Sequence, residues 1–303
     1  MGHDKLRKFA ENETFSCLLQ PSAKPLLEDG YFNLRDHSIK GKWCDGMFGG
    51  RVAPLVLELG CGKGEYTVGL AELEPAANYV GVDIKGARLW KGAKYATEHA
   101  LPNVAFLRTR IEFITAFFAP KEVSAIWLTF SDPQYKSPNS RLTSPVFLEK
   151  FRSMLVPGGV VHLKTDSRFL YEYTMAVCRA NGLKIIAATT DLYAGAGASS
   201  VADGGLAGDV GASAVNGDDR TGDTVGIPDA AREVHTFYEN MFLEQGYKIT
   251  YLAFTVDHDG PFVAPEDFDS DYWRSMEGPR LLFGHDSSET RRQKLSKAAA
   301  EIL

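Results

Sequence analysis

Residues Leu55 to Gly64, Leu-Val-Leu-Glu-Leu-Gly-Cys-Gly-Lys-Gly, constrain the fold more than any other stretch of the chain. A mostly apolar run, Leu55 to Leu59, breaks at three alternating glycines, Gly60, Gly62 and Gly64. A helical pattern then begins, with Tyr66, Val68, Leu70 and Leu73. A strand that turns through glycines straight into a helix lets a ligand approach at backbone distance. Glu58 stands just inside the end of that strand. A second apolar strand, Asn78 to Ile84, delivers Asp83 nineteen residues after Gly64. An acidic residue so placed usually accepts the two hydroxyls of a ribose.

The glycine spacing and Glu58 narrow the choice of nucleoside. A dinucleotide fingerprint is G-x-G-x-x-G, whereas this chain has G-x-G-x-G preceded by a carboxylate. A carboxylate beside a pyrophosphate would repel it. S-adenosylmethionine carries a sulfonium and an ammonium and no phosphate, so the same carboxylate favours it. The combination points to that cofactor, bound by Glu58, Gly60, Gly62, Gly64 and Asp83. A tight strand-to-helix turn without a ligand is the alternative.

From Leu55 onward, apolar strands alternate with helical segments. Strands are predicted at Leu55–Leu59, Tyr79–Val82, Val104–Leu107, Ala125–Phe130 and Val160–Lys164, the last after a Pro157-Gly158-Gly159 turn. Helices are predicted at Glu65–Glu72, Ala87–His99, Ile111–Phe118, Ser144–Leu155 and Phe169–Asn181. Such alternation predicts an α/β fold, a doubly wound and mostly parallel sheet covered on both faces. Two late strands, Leu183–Thr190 and Lys248–Phe254, bring the count to seven. With a final antiparallel hairpin these strands would match the Rossmann-like sheet in its methyltransferase version. Residues 53–256 form the predicted catalytic domain. Residues 1–52 read as an irregular N-terminal arm and residues 257–303 as an acidic tail. The segment from about 195 to 226 holds nine glycines and five aspartates with a single basic residue, Arg220. It lacks the apolar surface to offset its ordering entropy and reads as a disordered insertion.

Composition excludes little else. The net charge of −6 gives no global nucleic-acid signal, so any such site must be a local basic patch. Four scattered cysteines without a C-x-x-C pair fit a reducing cytoplasm. The charged N-terminus predicts no signal peptide, and no apolar run reaches membrane-spanning length. Asp267 to Asp271 superficially has the spacing of a calcium loop but lacks its glycine and its final glutamate, so no metal is expected.

The predicted strand at Ala125–Phe130 runs into Ser131-Asp132-Pro133-Gln134, with Lys136 and Arg141 after it. In an open parallel sheet, ligands lie beyond the carboxyl ends of the strands. Six separated motifs now converge: Lys8-Phe-Ala-Glu11, Leu57-Glu-Leu-Gly-Cys-Gly-Lys-Gly64, Gly81-Val-Asp83, Asp132-Pro133, Lys164-Thr-Asp166 and Thr236-Phe-Tyr-Glu239. Through them the chain resembles the bacterial tRNA (guanine-N7)-methyltransferases from about Lys5 to Phe254. The resemblance implies methyl transfer from S-adenosylmethionine to N7 of a variable-loop guanine (tRNA position 46). It implies that Glu58, Asp83 and Asp132 contact the cofactor, and that Lys136, Asp166, Thr236 and Glu239 contact the target nucleotide. Arg110 stands where the family usually has an acidic or amide residue facing the adenine. Ser131 and Gln134 replace the usual proline and tryptophan around Asp-Pro.

The reaction suits these residues. Guanine N7 has a lone pair and no proton, so the attack needs no general base. Positive charge moves from sulfur to the purine, and a carboxylate at Asp132 stabilises it. Asp166 and Glu239 accept from the N–H groups of guanine's other edge. Thr236 and Glu239 alternatively read as a helix capping box. Phosphate contacts are expected from Lys5, Arg7, Lys8, Lys85, Arg88, Lys91, Lys136, Arg141 and Arg168. The expected protein is a monomer or weak homodimer. Alternatives are a methyltransferase for another RNA or a small molecule, and a silent RNA-binding relative.

Overall fold

The structure, a computed structural model, describes residues 2–194 and 226–277. The predicted insertion, apart from Gly226, and the part of the predicted tail beyond residue 277 lie outside the described residues. In chain order the elements begin with α1 (Gly2–Asn12), β1 (Leu18–Leu19), α2 (Ala23–Leu26) and α3 (Trp43–Met47). The alternating core follows: β2 (Leu55–Leu59), α4 (Glu65–Leu73), β3 (Asn78–Asp83), α5 (Gly86–Glu98) and β4 (Val104–Arg108). After a 3-10 turn at Ile111–Ala116 come β5 (Val123–Thr129), α6 (Pro145–Met154), β6 (Leu155–Thr165), α7 (Arg168–Ala180) and β7 (Ile185–Thr189). The chain then adds α8 (Asp229–Glu233), α9 (Phe237–Glu244), β8 (Thr250–Thr255) and α10 (Ser270–Met276).

The strands form one sheet in the order β1-β4-β3-β2-β5-β6-β8-β7. All neighbours are parallel except β8, which runs antiparallel between β6 and β7. This is the expected doubly wound sheet with its late antiparallel pair. It has eight strands rather than seven, because Leu18 and Leu19 pair with Phe106 and Leu107 at the β4 edge. Two residues carry no periodicity, so this strand leaves no trace in the sequence pattern. The parallel strands β2 and β3 are buried at every position, as the continuous apolar runs require. β6 starts five residues before the predicted Val160: Val123 pairs with Leu155, then Ala125 with Val160, so the Pro-Gly-Gly stretch is a bulge inside the strand.

Several side chains before residue 53 are seated in the body of the fold. Trp43 is 1% exposed, stacks on Phe118 and donates its indole N–H to Phe117 O. Leu26, Ile39 and Phe48 share that core. Helix α1 lies against α5, where the side chain of Asn12 donates to Gly86 O. The start of the predicted acidic tail is also seated. Asn181 makes two hydrogen bonds with Val263, and Phe268 packs its edge against Phe169 and Tyr173. The acidic turn before α10 is a helix cap: Asp269 accepts from the N–H groups of Asp271 and Tyr272. Among the described residues no helix is long and apolar enough to cross a membrane.

Candidate active site

The candidate site residues on the strands lie along one edge of the sheet, at the strands' carboxyl ends. In sheet order, β3 ends at Asp83, β2 carries Glu58 into the glycine turn, β5 leads to Asp132 and β6 leads to Asp166. Gly60, Gly62 and Gly64 all have positive φ, of 81°, 57° and 73°. An added Cβ would meet nothing within 4 Å at Gly60 but would strike Phe106 at 2.5 Å at Gly64. Gly64 is therefore required by packing, while the bare backbone at Gly60 faces open space. Asp83 closes the turn: its Oδ2 accepts from Gly62 N at 3.0 Å and its Oδ1 from Lys85 N at 2.7 Å.

Glu58 is buried. Its Oε1 accepts from the Thr129 hydroxyl at 2.6 Å and its Oε2 from Thr67. Burial raises its pKa. Burial also pushes the Cys61 thiol well up, and the charges of Glu58 and Asp83 add to that shift. The turn thus sits in a negative field. Such a field suits a ligand bearing a sulfonium and an ammonium and disfavours a pyrophosphate. The residues present fit S-adenosylmethionine on that ground. Arg110 is half-exposed, paired with Glu112 at 3.1 Å. It lines a cavity of about 700 Å³ with Tyr31, Phe32, Lys40 and Lys150, and no residue of the glycine turn is in that lining.

The acceptor half of the site begins with strained backbone. Phe130 and Gln134 have φ of 50° and 48°, a region unfavourable for a bulky side chain. Between them Asp132 accepts from Gln134 N at 2.9 Å in a short side-chain turn. Lys136 is exposed on the loop that follows, and Asp166 is half-buried just beyond β6.

Thr236 and Glu239 face inward. The Thr236 hydroxyl accepts from Glu239 N at 3.1 Å and caps α9. Glu239 is fully buried. Its Oε1 pairs with Lys164 Nζ at 2.7 Å and accepts from Tyr193 OH. Its Oε2 is buried with no hydrogen-bond partner among the described residues. Lys164 also donates to Val234 O at 3.0 Å. Burial lowers the pKa of Lys164 to about 8, against the opposing pull of the Glu239 carboxylate.

A family model described as a putative methyltransferase matches residues 52–198. The tRNA (guanine-N(7)-)-methyltransferase of Christiangramia forsetii is 42% identical over 255 residues, covering 84% of this chain and 98% of the relative. The chain belongs to the tRNA (guanine-N7)-methyltransferase family. A second member, from Bacteroides fragilis, is 40% identical over 276 residues, or 91% of this chain and 95% of that one. Among solved structures, a crystal structure of the 16S rRNA methyltransferase KamB aligns at a TM-score of 0.46 and 14% identity, over 69% of this chain and 90% of that one. That likeness is too loose to argue from.

One residue expected to bind phosphate in this tRNA (guanine-N7)-methyltransferase family member does not present itself for that role. Arg141 is 1% exposed. Its Nε donates to Pro133 O at 3.1 Å and its Nη2 to Tyr135 O at 3.4 Å. The guanidinium lies 4.8 Å from the Phe169 ring centroid and 4.3 Å from that of Tyr173. It braces the Asp132 loop from behind. Arg141→Lys is therefore expected to cut turnover, because lysine lacks the planar fork. The salt slope of tRNA binding should stay unchanged. A slope lower by about one would mean that Arg141 meets a phosphate after all.

Several contributors carry weak sequence signals. Thr67 and Thr129 hold Glu58 but look like ordinary sheet and helix residues. Lys164 was readable: a lone lysine at the end of the run Val160-Val-His-Leu implies a buried, paired charge.

Proposed function

We propose that this chain transfers the methyl group of S-adenosylmethionine to N7 of the guanine in the tRNA variable loop. One observation carries the proposal: residues scattered from Glu58 to Glu239 line up along a single sheet edge, with the acidic glycine turn on one side, Asp132 beside it and Asp166 next in order. When bound, the cofactor supplies an electrophilic methyl on a positively charged sulfur. Glu58 lends its charge to the turn through a buried carboxylate, and Asp83 offers its remaining lone pairs to ribose hydroxyls. Gly60 leaves room for close approach. Asp132 stabilises positive charge arriving on the purine and takes no proton. The donor-less Oε2 of Glu239 is the kind of acceptor that a guanine N–H satisfies. Lys136 and Asp166 complete the nucleotide contacts, and Arg110 is assigned to the adenine end of the cofactor.

The tRNA body is expected to meet the face formed by α1 and α5, where Arg7 and Lys8 pair with Asp4, Arg7 also with Glu11, and Lys94 with Glu98, so a phosphate there must compete with these carboxylates. Arg7, Lys8 and Lys94 surround the Trp90 ring at 5.0, 4.8 and 5.3 Å. Cations interleaved with aromatic rings suit phosphate and base contacts alike. We read the protein as cytoplasmic and metal-independent, acting as a monomer or weak homodimer.

The test is methyl transfer from labelled S-adenosylmethionine to an unmodified tRNA transcript. A second transcript carries adenine in place of the variable-loop guanine. The expected outcome is label on the first alone, at a site cleaved by borohydride and aniline. Equal label on both, or none on either, would reject the proposal.

A further inference from the structure

We propose that Phe237, with Lys63 over its ring, is a stacking platform for a nucleobase of the bound RNA, next to the nucleotide being methylated. The platform presupposes the tRNA-methylating activity proposed above. Of the four residues Thr236 to Glu239, the two polar ones at the ends point inward, at 8% and 0% exposure, while Phe237 is 57% exposed. An incoming nucleotide therefore meets the phenyl ring before it meets either polar group. Isolated exposed apolar residues are ordinary, but three observations set this one apart.

First, the ring bears a cation: Lys63 Nζ lies 4.7 Å from its centroid and 6.0 Å from that of Tyr238. Second, Lys63 sits between Gly62 and Gly64, so the pair joins the cofactor turn to the Thr236 loop. Third, the backbone of Phe237 is pinned. Its N–H donates to Glu65 Oε2 at 3.0 Å, and Glu65 Oε1 pairs with Lys91 at 2.7 Å. An exposed ring on a pinned backbone, beside an ammonium on a long aliphatic stem, matches a nucleotide in both parts. The base stacks on the ring, and the lysine swings to its phosphate. A guanine drawn out of its stack leaves a neighbour without a partner, and an aromatic side chain replaces that partner.

The experiment compares wild-type protein with Phe237→Ala and Phe237→Trp in steady-state methyl transfer to an unmodified tRNA transcript. Phe237→Ala is expected to raise the KM for tRNA about tenfold, as loss of one base stack does. The KM for S-adenosylmethionine and the melting temperature should stay at wild-type values. Phe237→Trp should restore the KM for tRNA. An unchanged KM for tRNA in Phe237→Ala would overturn the platform. So would a raised KM for the cofactor alone, which would assign the ring to the cofactor's pocket. Failure of the wild-type protein to methylate tRNA defeats the functional reading itself. An active wild type with an indifferent Phe237→Ala defeats only the platform.

Discussion

Asp132→Asn is expected to lower the turnover of methyl transfer by about 100-fold or more while the protein stays folded. Asparagine keeps the side-chain oxygen that accepts from Gln134 N, so the turn between the two strained residues Phe130 and Gln134 survives. What disappears is one negative charge at the carboxyl end of β5. Because N7 carries no proton, loss of a base would cost nothing there; loss of a carboxylate costs the stabilisation of the charge arriving on the purine. Turnover at saturating tRNA and cofactor checks this, alongside cofactor affinity from equilibrium titration. A turnover within about threefold of wild type would remove Asp132 from the chemistry. Asp132→Ala breaks the turn as well, so the difference between the two variants reports what the turn geometry contributes.

Lys164→Met is expected to destabilise the fold by about 3–5 kcal/mol, the usual cost of stranding one partner of a buried ion pair. Lys164 and Glu239 are both fully buried, and the strand residue holds two loops at once. Its carbonyl accepts from Phe130 N at 2.9 Å, and its ammonium binds both Glu239 and Val234 O. Removing the ammonium leaves Glu239 charged without compensation. Replacing both partners, as Lys164→Met with Glu239→Leu, should recover most of the loss, since well-packed apolar pairs are often as stable as the ions they replace. Urea unfolding midpoints of the four proteins close a double-mutant cycle. A single-variant loss below about 1 kcal/mol would mean that the pair contributes no more than an exposed one.

Much of this architecture was legible in the sequence, for reasons that are physical. Buried parallel strands read as apolar runs, and β2, β3 and β6 end at or run straight into Gly60, Asp83 and Asp166, which mark the site edge. The glycine turn and Asp83 came through because their roles are backbone-determined and local. Arg141 did not. On a polar loop it has the look of a solvated charge, and its burial is imposed by Phe169 and Tyr173, which arrive on α7 some thirty positions later. Trp43, Leu26 and Phe48 were missed likewise, standing in short apolar pairs among turns with no period to detect. Thr236-x-x-Glu239 was ambiguous between a helix cap and a nucleotide site. The threonine does cap, yet the glutamate turns to Lys164, a partner that only the pairing of β6 with β8 brings near.

The edge strand β7 has a bearing on how this protein can be altered. The chain is tied down next to that edge on both sides of residues 195–225. Leu192 N–H bonds to Ile249 O at 2.7 Å, and Gly226 lies against Ile186. The cost of joining two fixed points grows only with the logarithm of the length between them, about 0.6 kcal/mol per doubling. The folded body thus fixes where any segment joining residues 194 and 226 must leave and return.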